Sequence, residues 1–366
     1  MHARQKLRTP PSFPTTLNAT IHLPQRFQEH DLDYVYDPKK DTTGQSRHMH
    51  GWFGDSMCTR VCALAVEKLY KPLRALVAKK VVSGFAVTVF TYGGEDKSKT
   101  ETLMGDGESM GVAGLMIKDI FALCAKEKKK FSVAVSMKLV EICDNAPVQD
   151  LLGTEPVKFG AAIGGSVEME SQSVPLQSGD DALSIARNAL VSKSARAQGK
   201  ASHVVQVIQI NAESLNKKRQ LTKMGKLTIV DTTADGHLEE LKKIVEVQAL
   251  HQRAREGKKS KKLPAMPPRK SPLTRLMAEG IGGNSKTVML LFTYPSDPLA
   301  PASMEFVKNL TGVENDSIVN VETAALKKLK QQLAKLVELQ ERRAGGGDDE
   351  PWWSPNSLPA VSRPGT

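Results

Sequence analysis

The chain has 366 residues, 40% of them hydrophobic and 5% aromatic, with a formal charge of +11 and a pI of about 9.3. That length suits one large α/β domain with extensions, or two ordinary domains, around a mostly aliphatic core. No run approaches the roughly 18 apolar residues of a membrane span, and Met1-His-Ala-Arg-Gln-Lys lacks the apolar centre of a secretory signal. Cys58, Cys62, Cys124 and Cys143 fit neither a disulfide framework nor a zinc site, so a reducing, cytosolic compartment is expected. The basic balance leaves a polyanionic partner open: nucleic acid, an acidic membrane surface or the acidic face of a filament.

Residues 1–30 are Pro-rich and polar, with little periodicity. Leu32–Asp37 reads as a short strand and residues 38–55 as turns. Cys58–Val77 carries apolar residues at helical spacing. The β-branched and aromatic run Ala86–Tyr92 is the kind of strand buried in a parallel sheet. It leads into Gly93-Gly-Glu-Asp-Lys-Ser-Lys-Thr100 and then a helix, which is the context a phosphate-binding P-loop needs. In a P-loop, glycines let backbone N–H groups converge on the phosphates. The Lys reaches the outer oxygens and the Ser/Thr holds Mg²⁺.

Gly93, Lys99 and Thr100 are in register with Gly-x4-Gly-Lys-Ser/Thr, while Ser98 stands at the last glycine. A glycine-only backbone there would cost Ser98 about 1–3 kcal/mol. Glu95 and Asp96 would each add about 3 kcal/mol of repulsion at about 6 Å from a phosphate, at an effective dielectric of about 20; Lys97 offsets part of this. By its residues alone the loop is either a plain strand–helix turn or a weak nucleotide site formed by Gly93, Gly94, Lys97, Ser98, Lys99 and Thr100.

Further along, Gly111–Leu123 reads as a helix, Phe131–Ile142 as a strand and Ala182–Ala197 as a helix. Val204–Ile210 and Leu227–Asp231 read as buried strands. A carboxylate at a strand end, such as Asp231, is how a P-loop ATPase presents an acid to Mg²⁺-bound water. His237–Arg255 is a long helical pattern. It runs into Arg253-Ala-Arg-Glu-Gly-Lys-Lys-Ser-Lys-Lys262, with six cations in ten residues. Pro267 and Pro268 precede a short helix signal (Leu273, Leu276, Met277), then Gly282-Gly-Asn-Ser-Lys-Thr287 and the apolar strand Val288–Tyr294. Residues 301–312 suit a last helix. Ser317–Arg343 places Leu326, Leu329, Leu333 and Leu336 at 3-4-3 spacing, which offers either a helix packed on its own domain or a short coiled-coil seam for a homodimer. The glycines, acids and Trp352/Trp353 beyond it read as a disordered tail.

The string Pro267–Thr287 resembles the most recognisable segment of the kinesin motor domain, in which a Tyr-Arg-x-Ser-Lys-Leu-Thr-x-Leu-Leu run leads to Gly-Gly-Asn-Ser-Lys-Thr. Other segments follow in the family's order. Leu32–Asp37 is similar to Phe-Asp-x-Val-Phe-Asp. Glu141-Ile142 with Asp150-Leu-Leu152 is similar to the Glu-Ile-Tyr-Asn-Glu … Asp-Leu-Leu turn. The resemblance implies a P-loop-type α/β fold: a mostly parallel, mixed central sheet with helices on both faces. The implied organisation is an N-terminal extension (1–30), a motor-like domain (31–312), a neck-like helix (313–343) and a tail (344–366).

The resemblance also implies roles. Arg8 and Pro10 would clamp the adenine of ATP or ADP, and Thr100 and Asp231 would serve Mg²⁺, Asp231 through water. Ser202 and His203 match the end of switch I, Asn-x-x-Ser-Ser-Arg-Ser-His, which makes Ser202 a candidate catalytic residue beside Asp231. Gly199, Lys200 and Ala201 replace the two Ser and the Arg. In switch II, Asp-Leu-Ala-Gly-Ser-Glu becomes Asp231-Thr-Thr-Ala-Asp-Gly236. Ala201 and Gly236 thus remove both partners of the ion pair that closes the family's site for hydrolysis. Losing both partners is tolerable where losing one is not.

Lys258, Lys259, Lys261 and Lys262, extended by Lys270 and Arg275, would meet the acidic surface of a microtubule. The expectation is therefore a cytoplasmic, microtubule-associated protein with weak or lost ATP hydrolysis. A working ATP-driven motor is the alternative. A basic nucleic-acid-binding ATPase is a third reading, and the lack of an aromatic-interleaved basic surface argues against nucleic acid.

Overall fold

The computed structural model describes residues 18–22, 34–36, 63–93, 97–105, 110–163, 166–216, 221–255, 257, 263–293, 300–329, 332–333 and 335–336. Two units are distinguished, residues 1–321 and 322–366.

In the first unit the strands are β1 (Asn18–His22), β2 (Tyr34–Tyr36), β3 (Ala86–Gly93), β4 (Phe131–Ile142), β5 (Gln149–Asp150), β6 (Lys158–Ile163), β7 (Ser166–Glu170), β8 (Val174–Pro175), β9 (His203–Ser214), β10 (Leu221–Asp231) and β11 (Lys286–Thr293). The helices are α1 (Ala63–Leu76), α2 (Ala78–Val82), α3 (Lys97–Met104), α4 (Val112–Glu127), α5 (Gly179–Lys193), α6 (Gly236–Arg255), α7 (Pro272–Leu276) and α8 (Ala300–Leu310).

The central sheet runs β2-β1-β11-β3-β10-β9-β4-β5. It is mixed. β3 lies parallel to both β10 and β11, and the flanking pairs are antiparallel. The two central strands beside each other, β3 and β10, carry the two site motifs at their C-terminal ends. Ligand-binding loops gather there in open α/β sheets.

Alternation along each strand divides the core between the faces. Val87 and Val89 of β3, with Leu139 of β4 and Ile229 of β10, pack with Leu69 and Leu73 of α1 and Ile117 and Ile120 of α4. Phe90 and Tyr92, with Val205, Val230 and Met289, pack with Leu241 and Val245 of α6, Leu273 of α7 and Phe306 of α8. Tyr92 and Phe306 stack with ring centres 4.1 Å apart.

Three local expectations need correcting. Within residues 1–30, Asn18–His22 is a strand, paired antiparallel with β11 from Asn18↔Thr293 to His22↔Met289. The helix expected over Ala182–Ala197 starts at Gly179, where Ser178 caps Asp181 N–H at 3.1 Å. It stops at Lys193, and a 3-10 turn follows over Arg196–Gln198. The neck-like helix does not begin at residue 313 or 317. Residues 313–320 are extended or irregular, Val321–Thr323 is a short strand (β12), and helix starts at Ala324. The β-branched residues Ile318, Val319, Val321 and Thr323 favour that extended backbone.

This extended segment braces the Gly282–Thr287 turn. Asn315 accepts from Gly282 N–H at 2.6 Å and donates to the carbonyls of Gly280 and Ser285, each at 2.8 Å. Asp316 N–H donates to Gly283 O, and Ile318 N–H to the Asn284 side chain. Gly282 has φ +80, a left-handed backbone that favours glycine, and a Cβ there would also displace the end of the Gln248 side chain. Arg269 donates to the carbonyls of Thr274 and Ile281, and burial lowers its pKa to about 10.

In the second unit, the described residues 324–329, 332–333 and 335–336 are helical. Leu326, Leu329, Leu333 and Leu336 are exposed. No helix among the described residues is long and apolar enough to cross a membrane.

Candidate functional site

The ends of β3, β10 and β4, the first turn of α3, and the loop between α5 and β9 converge on one polar cluster. Gly93 closes β3 at φ +103, and a Cβ there would lie 1.9 Å from the carbonyl oxygen of Phe292. The first glycine of the P-loop pattern is thus required by the neighbouring strand. Gly94, Glu95 and Asp96 lie outside the described residues, as do Arg8, Pro10, Lys258, Lys259, Lys261 and Lys262. Lys97 and Ser98 open α3. Lys99 is buried, and Thr100 reaches across to β10.

Asp231 is the hub. Its carboxylate is fully buried, accepting from Thr91 Oγ1 at 3.0 Å and from Thr100 Oγ1 at 2.7 Å. Thr91 also accepts from Thr232 N–H at 3.0 Å, and its carbonyl takes the Thr232 hydroxyl at 2.7 Å, so β3 fixes the strand end that presents Asp231. The two residues expected to serve Mg²⁺ are therefore adjacent.

A residue that sequence reasoning missed joins them. Arg196 Nη1 pairs with Asp231 Oδ2 and lies 3.3 Å from Thr100 Oγ1. Its Nη2 donates to the Ser202 carbonyl and, at 2.8 Å, to Thr233 Oγ1. Its backbone N–H donates to Glu141 at 3.2 Å. In the eight-residue pattern ending at His203, Arg196 occupies the first place, where Asn is expected. That Asn-to-Arg departure was the available signal.

Glu141, at the end of β4, holds this loop in place. It is fully buried and accepts from Ser194 Oγ (2.7 Å), Ser202 Oγ (2.5 Å), Ala195 N–H (2.5 Å) and Arg196 N–H. Burial pushes its pKa up, but the four donors outweigh that and hold the carboxyl below its ordinary range. The Ser202 hydroxyl thus points to Glu141, while its carbonyl faces Arg196 and Thr233. In this arrangement Ser202 positions the loop.

A second bridge runs from His203 to Asp235. Thr233 N–H donates to His203 Nδ1 at 3.0 Å, so Nδ1 is the acceptor and Nε2 carries the hydrogen that Asp235 Oδ2 accepts at 2.7 Å. The other Asp235 oxygen caps α6 through Leu238 N–H at 3.0 Å. Burial raises the Asp235 pKa, but His203 and the helix N–H more than reverse it. Ala201 and Gly236 do remove the expected ion pair. The same two segments are nevertheless joined, by Arg196 to Asp231 and by His203 to Asp235.

The remaining expected contacts scatter. Lys270 is exposed, with its N–H donating to Glu240 at 2.6 Å. Arg275 is half-buried, its guanidinium 4.9 Å from the Phe159 ring centre. Among the described residues, no group of three His, Cys, Asp or Glu could hold a metal ion.

A family model described as the kinesin motor domain matches residues 32–308. The chain belongs to the kinesin motor family. It is 26% identical over 304 residues to kinesin-like protein KIN-14H of Arabidopsis thaliana, covering 77% of this chain and 29% of that protein. It is 26% identical over 339 residues to the kinesin heavy chain of Caenorhabditis elegans, covering 78% and 40%. It is 28% identical over 340 residues to that of Gibberella moniliformis, covering 77% and 34%. The chain thus spans about a third of the length of these relatives.

Kinesin motor domains bind ATP or ADP with Mg²⁺ as a family trait. In this kinesin the residues do not fit the ion as they stand. The Thr100 oxygen and the Asp231 carboxylate both already face the Arg196 guanidinium, which balances the Asp231 charge. A divalent ion about 4 Å from that guanidinium would meet a repulsion on the order of 8 kcal/mol at an effective dielectric of about 20.

Proposed function

We propose that this chain is a microtubule-binding kinesin-family domain that holds ATP or ADP and hydrolyses ATP weakly or not at all. The observation that carries the reading is the pair of bridges between the two switch segments. In place of the implied Arg–Glu pair, which would open and close, stand a pair of the part-buried Arg196 with the fully buried Asp231 and a His203–Asp235 bond tied to the start of α6. A gate must have two states of similar energy, and links this buried favour one. Lys99, buried at the start of α3, and the Gly93 turn support nucleotide binding.

Binding to microtubules rests on family membership and on the basic run Lys258–Lys262 in the sequence; Lys270, later in the chain, is exposed. Like charges there act mainly as salt-sensitive steering. Cytoplasmic, microtubule-associated placement and self-association through the exposed leucines 326, 329, 333 and 336 belong to the same proposal.

Two measurements test it. Steady-state ATPase with and without microtubules should stay low, and a microtubule-stimulated rate above about 1 s⁻¹ would reject weak hydrolysis. Salt-controlled pelleting should retain the protein on microtubules. Retention on DNA alone would remove the filament reading.

A further inference from the structure

We propose that Arg196 is a built-in cation that takes the place of a divalent ion between Thr100 and Asp231, leaving the nucleotide site of this domain independent of magnesium. The inference deepens the nucleotide-binding reading above and rests on it for its second clause.

Position is the first argument. One guanidinium nitrogen meets both the Thr100 hydroxyl and the Asp231 carboxylate, the two groups that a P-loop ATPase gathers around its metal. Anchoring is the second. The other nitrogen is held by the Ser202 carbonyl and the Thr233 hydroxyl, and the backbone N–H by Glu141, so the residue is fixed from both ends. A surface arginine swung inward by chance would lack this support. Charge is the third. Asp231 is fully buried and has this guanidinium as its ion-pair partner, whereas the Arg196 side chain is 24% exposed. Both terminal nitrogens are spent on these protein acceptors, so what a phosphate oxygen would meet on the open outer side is the Nε–H and the charge of the cation. The turn supplies the means. Gly199, at φ +78, closes the 3-10 turn Arg196–Gln198 and brings Arg196 back under the start of β9.

The test uses the full 366-residue chain and a fluorescent ADP analogue, titrated in millimolar Mg²⁺ and in excess EDTA. Wild-type affinity is expected to agree within about twofold between the two buffers, while Arg196→Asn loses about tenfold or more in EDTA. A wild-type affinity that collapses in EDTA overturns the proposal, and so does an Arg196→Asn variant indifferent to Mg²⁺. The wild-type arm stands alone if that variant fails to fold, and Arg196→Lys, which keeps the charge but cannot span both anchors, should fall between wild type and Arg196→Asn in EDTA.

If neither protein binds the analogue in either buffer, the nucleotide reading fails. Replacement of the metal is then decided by paramagnetic resonance of Mn²⁺. Mn²⁺ held only by Arg196→Asn supports it. Mn²⁺ held by wild type, or by neither protein, overturns it.

Discussion

The Arg196 guanidinium is paired with the fully buried carboxylate of Asp231, at the junction of both switch segments with the first turn of α3. A charge in that position has no water to fall back on. Arg196, with the Thr91 and Thr100 hydroxyls, takes the place of water at the end of β10.

Arg196→Ala is expected to lower unfolding stability by about 3–5 kcal/mol, because it leaves an uncompensated buried carboxylate. Removing Asp231 as well should recover part of that loss, since the double variant buries no lone charge. A double-mutant cycle in urea measures the coupling. Additive losses in the two single variants would show that the pair is not the unit described.

Asp235 does two jobs, and three variants separate them. Asp235→Ala loses the α6 cap and the His203 partner together and should cost about 2 kcal/mol. Asp235→Ser keeps a capping oxygen but cannot reach His203 in the same way, so it should recover only the capping share. Asp235→Asn, which keeps an oxygen and the side-chain length, should be the mildest. Equal losses for the Ser and Ala variants would mean that the cap contributes nothing.

Much of this was legible before the fold was known. Strands β3, β4, β9, β10 and β11 announce themselves by β-branched runs, and α6 by its period. The Gly282–Thr287 turn reads cleanly because the required backbone leaves little choice of residue. Arg196 escaped because the pattern directed attention to position 201, where the expected arginine has become Ala. The cation sits five residues earlier, and only the turn closed by Gly199 brings it into the site. Asp235 escaped for a similar reason, being one residue before the place where a Glu was expected. Strand β1 was hidden because five residues in a polar stretch carry too little alternation, and its pairing with β11 is a long-range event. The segment 313–323 was misread because its leucine-rich continuation suggested helix, whereas Asn315 and Asp316 tie it to a distant turn.

Glu141 sets an acid limit. Its folded pKa lies below the ordinary value of 4.5, so the stabilisation it provides is complete above about pH 4.5 and disappears as pH falls through the folded value. Asp235, depressed from 3.8, acts in the same direction at slightly lower pH. Wild-type stability should therefore fall steeply as the medium is acidified below 4.5. Glu141→Gln should be less stable at neutral pH and show a shallower fall across that window. Parallel acid profiles for the two proteins would contradict the assignment.

Asn315 gives the sharpest test of what holds the Gly282–Thr287 turn. Its amide N–H₂ faces the carbonyls of Gly280 and Ser285 and the Thr287 hydroxyl, while its oxygen takes Gly282 N–H. Asn315→Ala takes the amide from the buried Ser285 carbonyl and the acceptor from the Gly282 N–H, while the Gly280 carbonyl keeps the Thr287 hydroxyl, and should cost about 1–3 kcal/mol. Asn315→Asp is nearly the same size but turns a carboxylate oxygen toward two carbonyls, so it should cost more than the Ala variant at neutral pH. Acidification should recover part of the Asp variant's loss, because a protonated carboxyl can donate once again. The turn joins α7 to β11, so microtubule pelleting of the whole sample should weaken together with stability. An Asp variant as stable as wild type at neutral pH would mean that Asn315 is not oriented with its amide toward the turn.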